Sequence, residues 1–229
     1  MNQQQLIGLT ESHLTLAQTK FQTVKINTLI QEDLLHLVDA ADKAGFQLEV
    51  ASGFRNFERQ KKIWNNKFSG KTAILDSASQ TLDHSLLTDK ERLFAILRWS
   101  ALPGTSRHHW GTDLDIYAKN LLPKNHRLQL EPWEYLTGHQ APFYHWLKRN
   151  LTQFGFFFPY EMDLGGIAPE PWHISHVKIS EPYLEKLSKS VIIETLEQQD
   201  VLGFSVINEN FKHIYTHYVT NICRSRSYD

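Results

Sequence analysis

The sequence predicts an α+β fold, in which several helices surround a few short strands that are not adjacent along the chain. Three observations favour this class: amphipathic helical patterns recur, short segments have strand-like alternation or composition, and no regular strand-helix-strand rhythm connects them. With 229 residues, 41% of them hydrophobic, the chain can bury one sizeable core. We therefore predict a single domain, residues 1–229, with its core at about 30–180 and a helical C-terminal extension at about 181–229.

The sequence of the first part of the chain predicts a helix, a strand and a second helix, in that order. From Gln31 to Gly45 the apolar residues follow i, i+3, i+4, i+7 spacing, the first turn is acidic, and a glycine ends the segment. Residues 46–51 alternate between apolar and polar side chains, which predicts a strand with one buried face. This strand leads into Ser52-Gly53-Phe54-Arg55, a helix is expected from Asn56 to about Lys67, and the polar residues 69–89 predict a surface loop or lid.

The second part of the chain predicts further helices and three short strands. Asp113 and Asp115 alternate with aliphatic residues, so their strand directs both carboxylates to one face. Pro182 suits the first turn of a helix, with Ser180 as a possible cap. The predicted elements are a helix around 93–97, strand 113–117, an irregular excursion at 120–141, helix 143–154, strands 156–158 and 172–177, and helices at about 182–191 and 211–222.

Composition restricts the classes of partner and of metal site. The formal net charge is −1 and the pI is about 6.9, so bulk electrostatics favour neither nucleic acid nor an anionic membrane, and a small molecule or peptide is the expected partner. Cys223 is the only cysteine, which excludes an intramolecular disulfide and a cysteine-based zinc site. The sequence contains neither a signal-peptide pattern nor the roughly 20 apolar residues of a membrane span, which predicts a cytoplasmic protein; a chain trimmed at its N-terminus would fit a periplasmic one.

Two neighbouring histidines and two aspartates in one short turn-to-strand segment form half of a possible metal site. The histidines are His108 and His109, and the aspartates are Asp113 and Asp115. With His173 far downstream, one residue of each pair would complete the three-ligand set that catalytic zinc typically takes. Spacing alone leaves four combinations open.

Three motifs extend this pattern, and together the chain resembles the VanY/VanX-type D-alanyl-D-alanine carboxypeptidases, the LAS zinc metallopeptidases. Their signature is S-x-H-x-x-G-x-x-x-D followed by E-x-W-H, with S-G-[YF]-R-x(4)-Q upstream. The matching residues, within about 46–177, are Ser52, Gly53, Phe54, Arg55 and Gln60, then Ser106, His108, Gly111 and Asp115, then Glu170, Trp172 and His173. The resemblance implies a small antiparallel sheet that carries the zinc site and is flanked by helices.

The resemblance also implies a role for each motif residue. One zinc ion would be held by His108, Asp115 and His173, which favours Asp115 over Asp113. Glu170 would be the general base, because a carboxylate three residues before a ligating histidine can reach a water molecule at the metal.

The implied reaction is hydrolysis of the terminal peptide bond of a D-Ala-terminated peptide or muropeptide. Arg55 would stabilise the oxyanion, and Ser106 would help to bind the terminal carboxylate of the substrate. Two other functions stay open: an endopeptidase with the same chemistry, and a non-catalytic muropeptide-binding module that keeps the metal for structure. Glu170 argues against the second, since a structural site needs no base.

The sequence departs from the family pattern in two places. Asp113 stands where many relatives have a small residue, and Ile174-Ser175-His176 follows the last ligand where VanY-like enzymes often carry Arg-Tyr. His109 and His176 are candidates to orient the ligands, and Gln60 is predicted to be a helix-surface or packing residue.

Overall fold

The structure, a computed structural model, describes residues 1–224 and consists of helices around a small antiparallel sheet. Its strands are β1 (Leu14–Gln18), β2 (Thr23–Asn27), β3 (Leu48–Ser52), β4 (Ile74–Leu75), β5 (Thr81–Leu82), β6 (Asp113–Ala118), β7 (Phe156–Phe157) and β8 (His173–His176). Its α-helices are α1 (Gln3–Leu6), α2 (Gln31–Lys43), α3 (Phe57–Phe68), α4 (Asp89–Leu97), α5 (Pro132–Leu136), α6 (Ala141–Asn150), α7 (Val177–Lys186), α8 (Lys189–Gln198) and α9 (Phe204–Ile214). The predicted α+β class is confirmed.

The central sheet has four strands in the order β3-β6-β8-β7, and every neighbouring pair is antiparallel. Its register pairs Asp115 with His173 and Asp113 with Ser175 across β6 and β8. Ser52, at the end of β3, lies opposite Asp115 on the other side of β6, after an irregularity in the pairing. Because side chains directly opposite each other in antiparallel strands lie about 5 Å apart, this register brings the three motifs together.

Two hydrophobic clusters hold this sheet in place. The first joins the aliphatic residues of β6 and β8 to α2 and α6, with Leu114 and Ile174 fully buried between them. The predicted alternation of β6 is therefore confirmed: its aliphatic side chains enter this cluster, while Asp113 and Asp115 point to the other face. The second cluster packs α3 and α4 against α8 and α9, so the C-terminal helices share a core with the helix that follows the Arg55 motif.

The helices near the C-terminus differ from the prediction in where they begin. α7 begins at Val177, directly after β8, and therefore contains Pro182 in its interior instead of in its first turn. Pro182 has no N–H to donate to the carbonyl of Lys178, and the helix tolerates this loss of one hydrogen bond. A separate helix, α8, follows with Ser188 as its N-cap, and α9 begins at Phe204, earlier than the apolar spacing indicated.

The N-terminal segment supports the turn that contains His108 and the start of α3. The indole nitrogen of Trp110 donates to the carbonyl of Leu6 at 3.0 Å, and the amide of Phe57 donates to the carbonyl of Gly8 at 2.8 Å. α1 spans only four residues, too few for a helical periodicity to be visible. Within residues 1–224, every helix is too short or too polar to cross a bilayer.

Candidate active site

The structure brings His108, Asp115 and His173 together at one end of the central sheet. One potential ligand atom from each residue lies within 4.8 Å of the other two, and all three residues are buried. They form the floor of a cleft of about 330 Å³ that is also lined by Arg55 and Glu170. Ser106 lines the same cleft, so all six residues that the sequence predicted for the site meet there.

His108 is held so that one ring nitrogen points toward Asp115. Its Nδ1 lies 2.9 Å from the carbonyl of Gly53, and because a carbonyl only accepts, Nδ1 carries the hydrogen. Nε2 is then free to bind a cation and lies 3.4 Å from Asp115 Oδ2. Gly111 makes the turn from His108 into β6 possible: its φ is +66°, and a Cβ there would come within 2.7 Å of the Asn27 nitrogen.

His173 is oriented by the second carboxylate, Asp113. Its Nε2 lies 3.0 Å from Asp113 Oδ1, and since an ionised carboxylate only accepts, Nε2 carries the hydrogen. Nδ1 therefore faces the site, 3.3 Å from Asp115 Oδ1 and 3.2 Å from Glu170 Oε2. Burial alone would lower the pKa of His173, but the carboxylates of Asp113, Asp115 and Glu170 stabilise the protonated ring and raise this pKa well above its ordinary value. A ligating histidine is neutral, so a metal ion competes with a proton at this nitrogen.

Asp113 is itself fixed by a buried arginine. Arg107 Nε donates to Asp113 Oδ1 at 2.7 Å, a second guanidinium nitrogen donates to Ser175 Oγ at 2.6 Å, and Thr112 Oγ1 donates to Asp113 Oδ2 at 2.8 Å. Burial would raise the pKa of Asp113, yet the charge of Arg107 and the hydrogen bond from His173 hold it below its usual range. This series of hydrogen bonds, from Arg107 to Asp113 and on to His173, sets which imidazole nitrogen faces the cleft. A carboxylate commonly orients metal-binding histidines in this way.

The residues present fit a zinc ion. Asp115 Oδ1 is buried and has no hydrogen bond of good geometry within residues 1–224, although a buried carboxylate oxygen normally has a partner. Burial would raise the pKa of Asp115, but the two imidazoles beside it hold this pKa below its usual range, so the carboxylate is ionised. Two neutral imidazoles and one carboxylate are a common ligand set for zinc with an open position.

Arg55 lies on the wall of the cleft, where two neutral acceptors orient its guanidinium. One terminal nitrogen donates to Gln60 Oε1 at 2.9 Å and the other to Ser52 Oγ at 3.0 Å. Gln60 is fully buried and donates in turn to the carbonyl of Ala101 at 2.7 Å. Of the two alternatives predicted for Gln60, the helix surface is therefore wrong: the residue is buried, and its amide positions Arg55. This contact explains why serine, arginine and glutamine occur together in the upstream motif.

His109, the alternative to His108, has no nitrogen left for a metal. Its Nδ1 donates to the carbonyl of Arg55 at 2.6 Å, and its Nε2 accepts from the amide of Gly104 at 3.1 Å. Complete burial lowers the pKa of His109 to about 3, which keeps the ring neutral. His176, also considered as a partner of the ligands, instead hydrogen-bonds Asp33 of α2 at 2.9 Å.

Glu170 and Ser106 are held by the backbone around them. The amide of Glu170 donates to the carbonyl of Tyr160 at 2.9 Å, and 14% of the Glu170 side chain is exposed, so its carboxylate can meet a ligand in the cleft. The Tyr160 ring packs edge-on against His173 with the ring centres 4.9 Å apart. Ser106 is almost completely buried and immediately precedes the turn that contains His108.

Comparison with known proteins places this arrangement in a family. Residues 23–179 match the family model VanY, D-alanyl-D-alanine carboxypeptidase. An uncharacterized protein of Haemophilus influenzae is 33% identical over 122 residues, which are 52% of this chain and 92% of the relative. A D-alanyl-D-alanine carboxypeptidase of Enterococcus faecalis is 30% identical over 68% of this chain and 49% of the relative, so the chain spans about half the length of that enzyme.

Two solved structures are similar in fold across most of the chain. A mutant of the vancomycin-resistance D,D-pentapeptidase VanY in complex with Zn(II) has a TM-score of 0.50 and 25% identity, covering 80% of this chain and 92% of that one. The LD-carboxypeptidase LdcB has a TM-score of 0.55 and 25% identity, covering 79% and 81%. The family model spans well over half of the chain and includes every residue of the cleft floor, and the chain therefore belongs to the VanY family of D-alanyl-D-alanine carboxypeptidases.

Proposed function

We propose that this protein is a zinc-dependent D-alanyl-D-alanine carboxypeptidase that hydrolyses the terminal peptide bond of peptidoglycan stem peptides. The observation that carries the proposal is the position of Glu170, whose carboxylate lies 3.2 Å from His173 Nδ1 at the edge of a buried two-histidine, one-aspartate set. A purely structural metal site would have no use for a partly exposed carboxylate at this position. Family membership and the zinc-bound VanY neighbour support the same conclusion.

His108, Asp115 and His173 would hold the zinc ion through Nε2, a carboxylate oxygen and Nδ1. The chemistry that zinc supplies when bound is Lewis acidity, which polarises a carbonyl group and lowers the pKa of water to about 7. Glu170 accepts a proton from the attacking water and donates it to the departing amine. The carbon–nitrogen bond of the terminal peptide breaks, the acyl group gains the hydroxyl, and the free amino acid leaves with the proton.

Arg55 supplies positive charge where the carbonyl oxygen becomes negative. Its guanidinium is held in place before the reaction by Gln60 and Ser52, so no reorganisation is needed in the transition state. Burial lowers the pKa of Arg55, and the carboxylates of Asp115 and Glu170 oppose this effect. An arginine remains charged under these conditions. Ser106 lines the same cleft and would donate to the substrate carboxylate.

The test compares Glu170→Gln with a matched control, Glu131→Gln. Glu131 is a second carboxylate that lines the cleft, but it accepts a hydrogen bond from Ser79, and no hydrogen bond or ion pair joins it to the three ligands. We expect Glu170→Gln to keep zinc and its melting temperature but to lose about 100- to 10,000-fold in D-Ala release from a D-Ala-D-Ala peptide. The Glu131→Gln variant should retain most of its activity. Undiminished turnover by the Glu170→Gln variant would disprove the mechanism.

Two further substrates distinguish the related activities. A C-terminally amidated peptide that is cut as fast as the free acid would indicate an endopeptidase. A peptide whose terminal D-Ala follows an L-configured centre tests the reaction named for the neighbour LdcB. Zinc binding without release of D-Ala from any of these peptides would identify a non-catalytic module.

A further inference from the structure

Lys67, on the face of α3 that borders the cleft, carries a half-buried charge for which the fold supplies no counterion. Its Nζ donates to Ser100 Oγ at 2.7 Å, and no carboxylate of residues 1–224 lies within ion-pairing distance of it. Burial lowers the pKa of Lys67, and the charge of Glu170 opposes this effect. A desolvated charge without a counterion is costly, and an apolar residue would pack against α4 without that cost.

Ser100 connects this ammonium group to the cleft. It lines the cleft together with Ile63 of α3 and Ala101, so this wall is built from α3 and the residues after α4. Gln60, Ile63 and Lys67 occupy one side of α3, at i, i+3 and i+7. At one end of this row Gln60 orients Arg55, and at the other end Lys67 donates to Ser100. The wall thus carries one cation, Arg55, in the cleft and a second one, Lys67, behind the Ser100 hydroxyl.

The Ser100 hydroxyl accepts from Lys67, so its own hydrogen is available to donate into the cleft. A hydroxyl donor with an ammonium group behind it suits an anion, and an ammonium has two further N–H groups to offer. The substrate of the proposed reaction brings such an anion. Glu170 must lie beside the departing amine to protonate it, and the α-carboxylate of that residue is only two bonds from its nitrogen. Ser100, which accepts from Lys67, lines the same cleft as Glu170.

We infer that Lys67 and Ser100 bind the free α-carboxylate of the residue that is released, and so restrict the enzyme to C-terminal peptide bonds. This inference rests on the proposed function and adds to it the group that selects the substrate. Ser106, which the family resemblance assigns to the same carboxylate, supplies a neutral donor in the same cleft. Lys67 adds a positive charge, which favours binding of a free acid over binding of an amide.

The experiment measures kcat/KM for one D-Ala-D-Ala peptide as the free acid and as the C-terminal amide. The variants are Lys67→Met and Ser100→Ala, with Lys62→Met as the matched control, because Lys62 is an exposed lysine of the same helix. We expect Lys67→Met to lower kcat/KM for the free acid about 10- to 100-fold, mainly through KM, since hydrogen bonds to charged groups contribute this much. The amide should be cut more slowly than the acid, and Lys67→Met should leave kcat/KM for the amide unchanged. Ser100→Ala should show a smaller loss of kcat/KM for the free acid only, and Lys62→Met should match the parent protein on both peptides.

Equal losses on the acid and the amide in Lys67→Met would overturn the inference, because Lys67 would then act through Glu170 or through the fold. Calorimetric binding of both peptides to Glu170→Gln and to Glu170→Gln/Lys67→Met gives a readout that does not require turnover. If the parent protein releases no D-Ala, the proposed function fails. Tighter binding of the acid that disappears without Lys67 would even then support the carboxylate site, whereas equal binding of acid and amide would refute it.

Discussion

Replacement of Asp113 by asparagine is expected to weaken zinc binding about 10- to 100-fold, the usual effect of removing the carboxylate that orients a metal-binding histidine. Asp113 Oδ1 lies 3.0 Å from His173 Nε2, and this contact turns Nδ1 toward the cleft. The expected loss corresponds to about 1.4 to 2.8 kcal/mol of binding free energy. Stability should fall by about 3 to 5 kcal/mol as well, because Arg107 would remain buried without its counterion.

The assay for Asp113→Asn is competition for zinc with a chelating dye, accompanied by urea unfolding of the metal-free protein. Thr112→Val is the matched control, because Thr112 donates to the other oxygen of Asp113 and does not contact His173. This control should lose about 1 kcal/mol of stability and keep its zinc affinity. Unchanged zinc affinity in Asp113→Asn would refute the argument that Asp113 orients His173.

Three further predictions concern the support of the site. Gln60→Leu removes an acceptor of Arg55 and should lower kcat about 10- to 100-fold, while the zinc affinity measured by dye titration should not change. An equal loss of kcat and of zinc affinity would contradict a role limited to Arg55. Gly8→Ala places a Cβ 2.4 Å from His109 Nδ1 at a φ of +80°, whereas Gly45→Ala, at +87°, meets no atom within 4 Å. Urea unfolding should therefore show a loss of more than about 1 kcal/mol for Gly8→Ala and a smaller one for Gly45→Ala. Removal of zinc with a chelator should lower the melting temperature and its return should restore it, since zinc at 100 times its Kd adds about 2.7 kcal/mol of stability.

The sequence was most informative where local pattern and position agree. Alternation along β6 predicted that Asp113 and Asp115 share a face, and the structure places both on the side opposite Leu114. Helical spacing located α2 to within two residues at its C-terminal end. These features depend on side-chain periodicity, which a single sequence displays directly.

The choice between the paired candidates could not be made from spacing, because it depends on contacts between distant segments. His109 is excluded as a ligand only by the carbonyl of Arg55 and the amide of Gly104, which occupy both of its nitrogens. The role of Gln60 depends likewise on its approach to Arg55 and Ala101. The family resemblance favoured His108 over its neighbour, but it carried no information on what holds either ring.

Asp113, which departs from the family pattern, forms a buried ion pair with Arg107, so each residue neutralises the charge of the other. An additional carboxylate beside Asp115 and Glu170 would repel both, and the guanidinium of Arg107 cancels its charge at 2.7 Å. Conversely, Arg107 without Asp113 would be a buried cation with only Ser175 to accept from it. The double variant Arg107→Met/Asp113→Ala should therefore be more stable in urea than Asp113→Ala alone. Its zinc affinity should stay low, because no charge compensation restores the acceptor for His173; recovery of zinc affinity in the double variant would mean that Asp113 acts through charge and not through orientation.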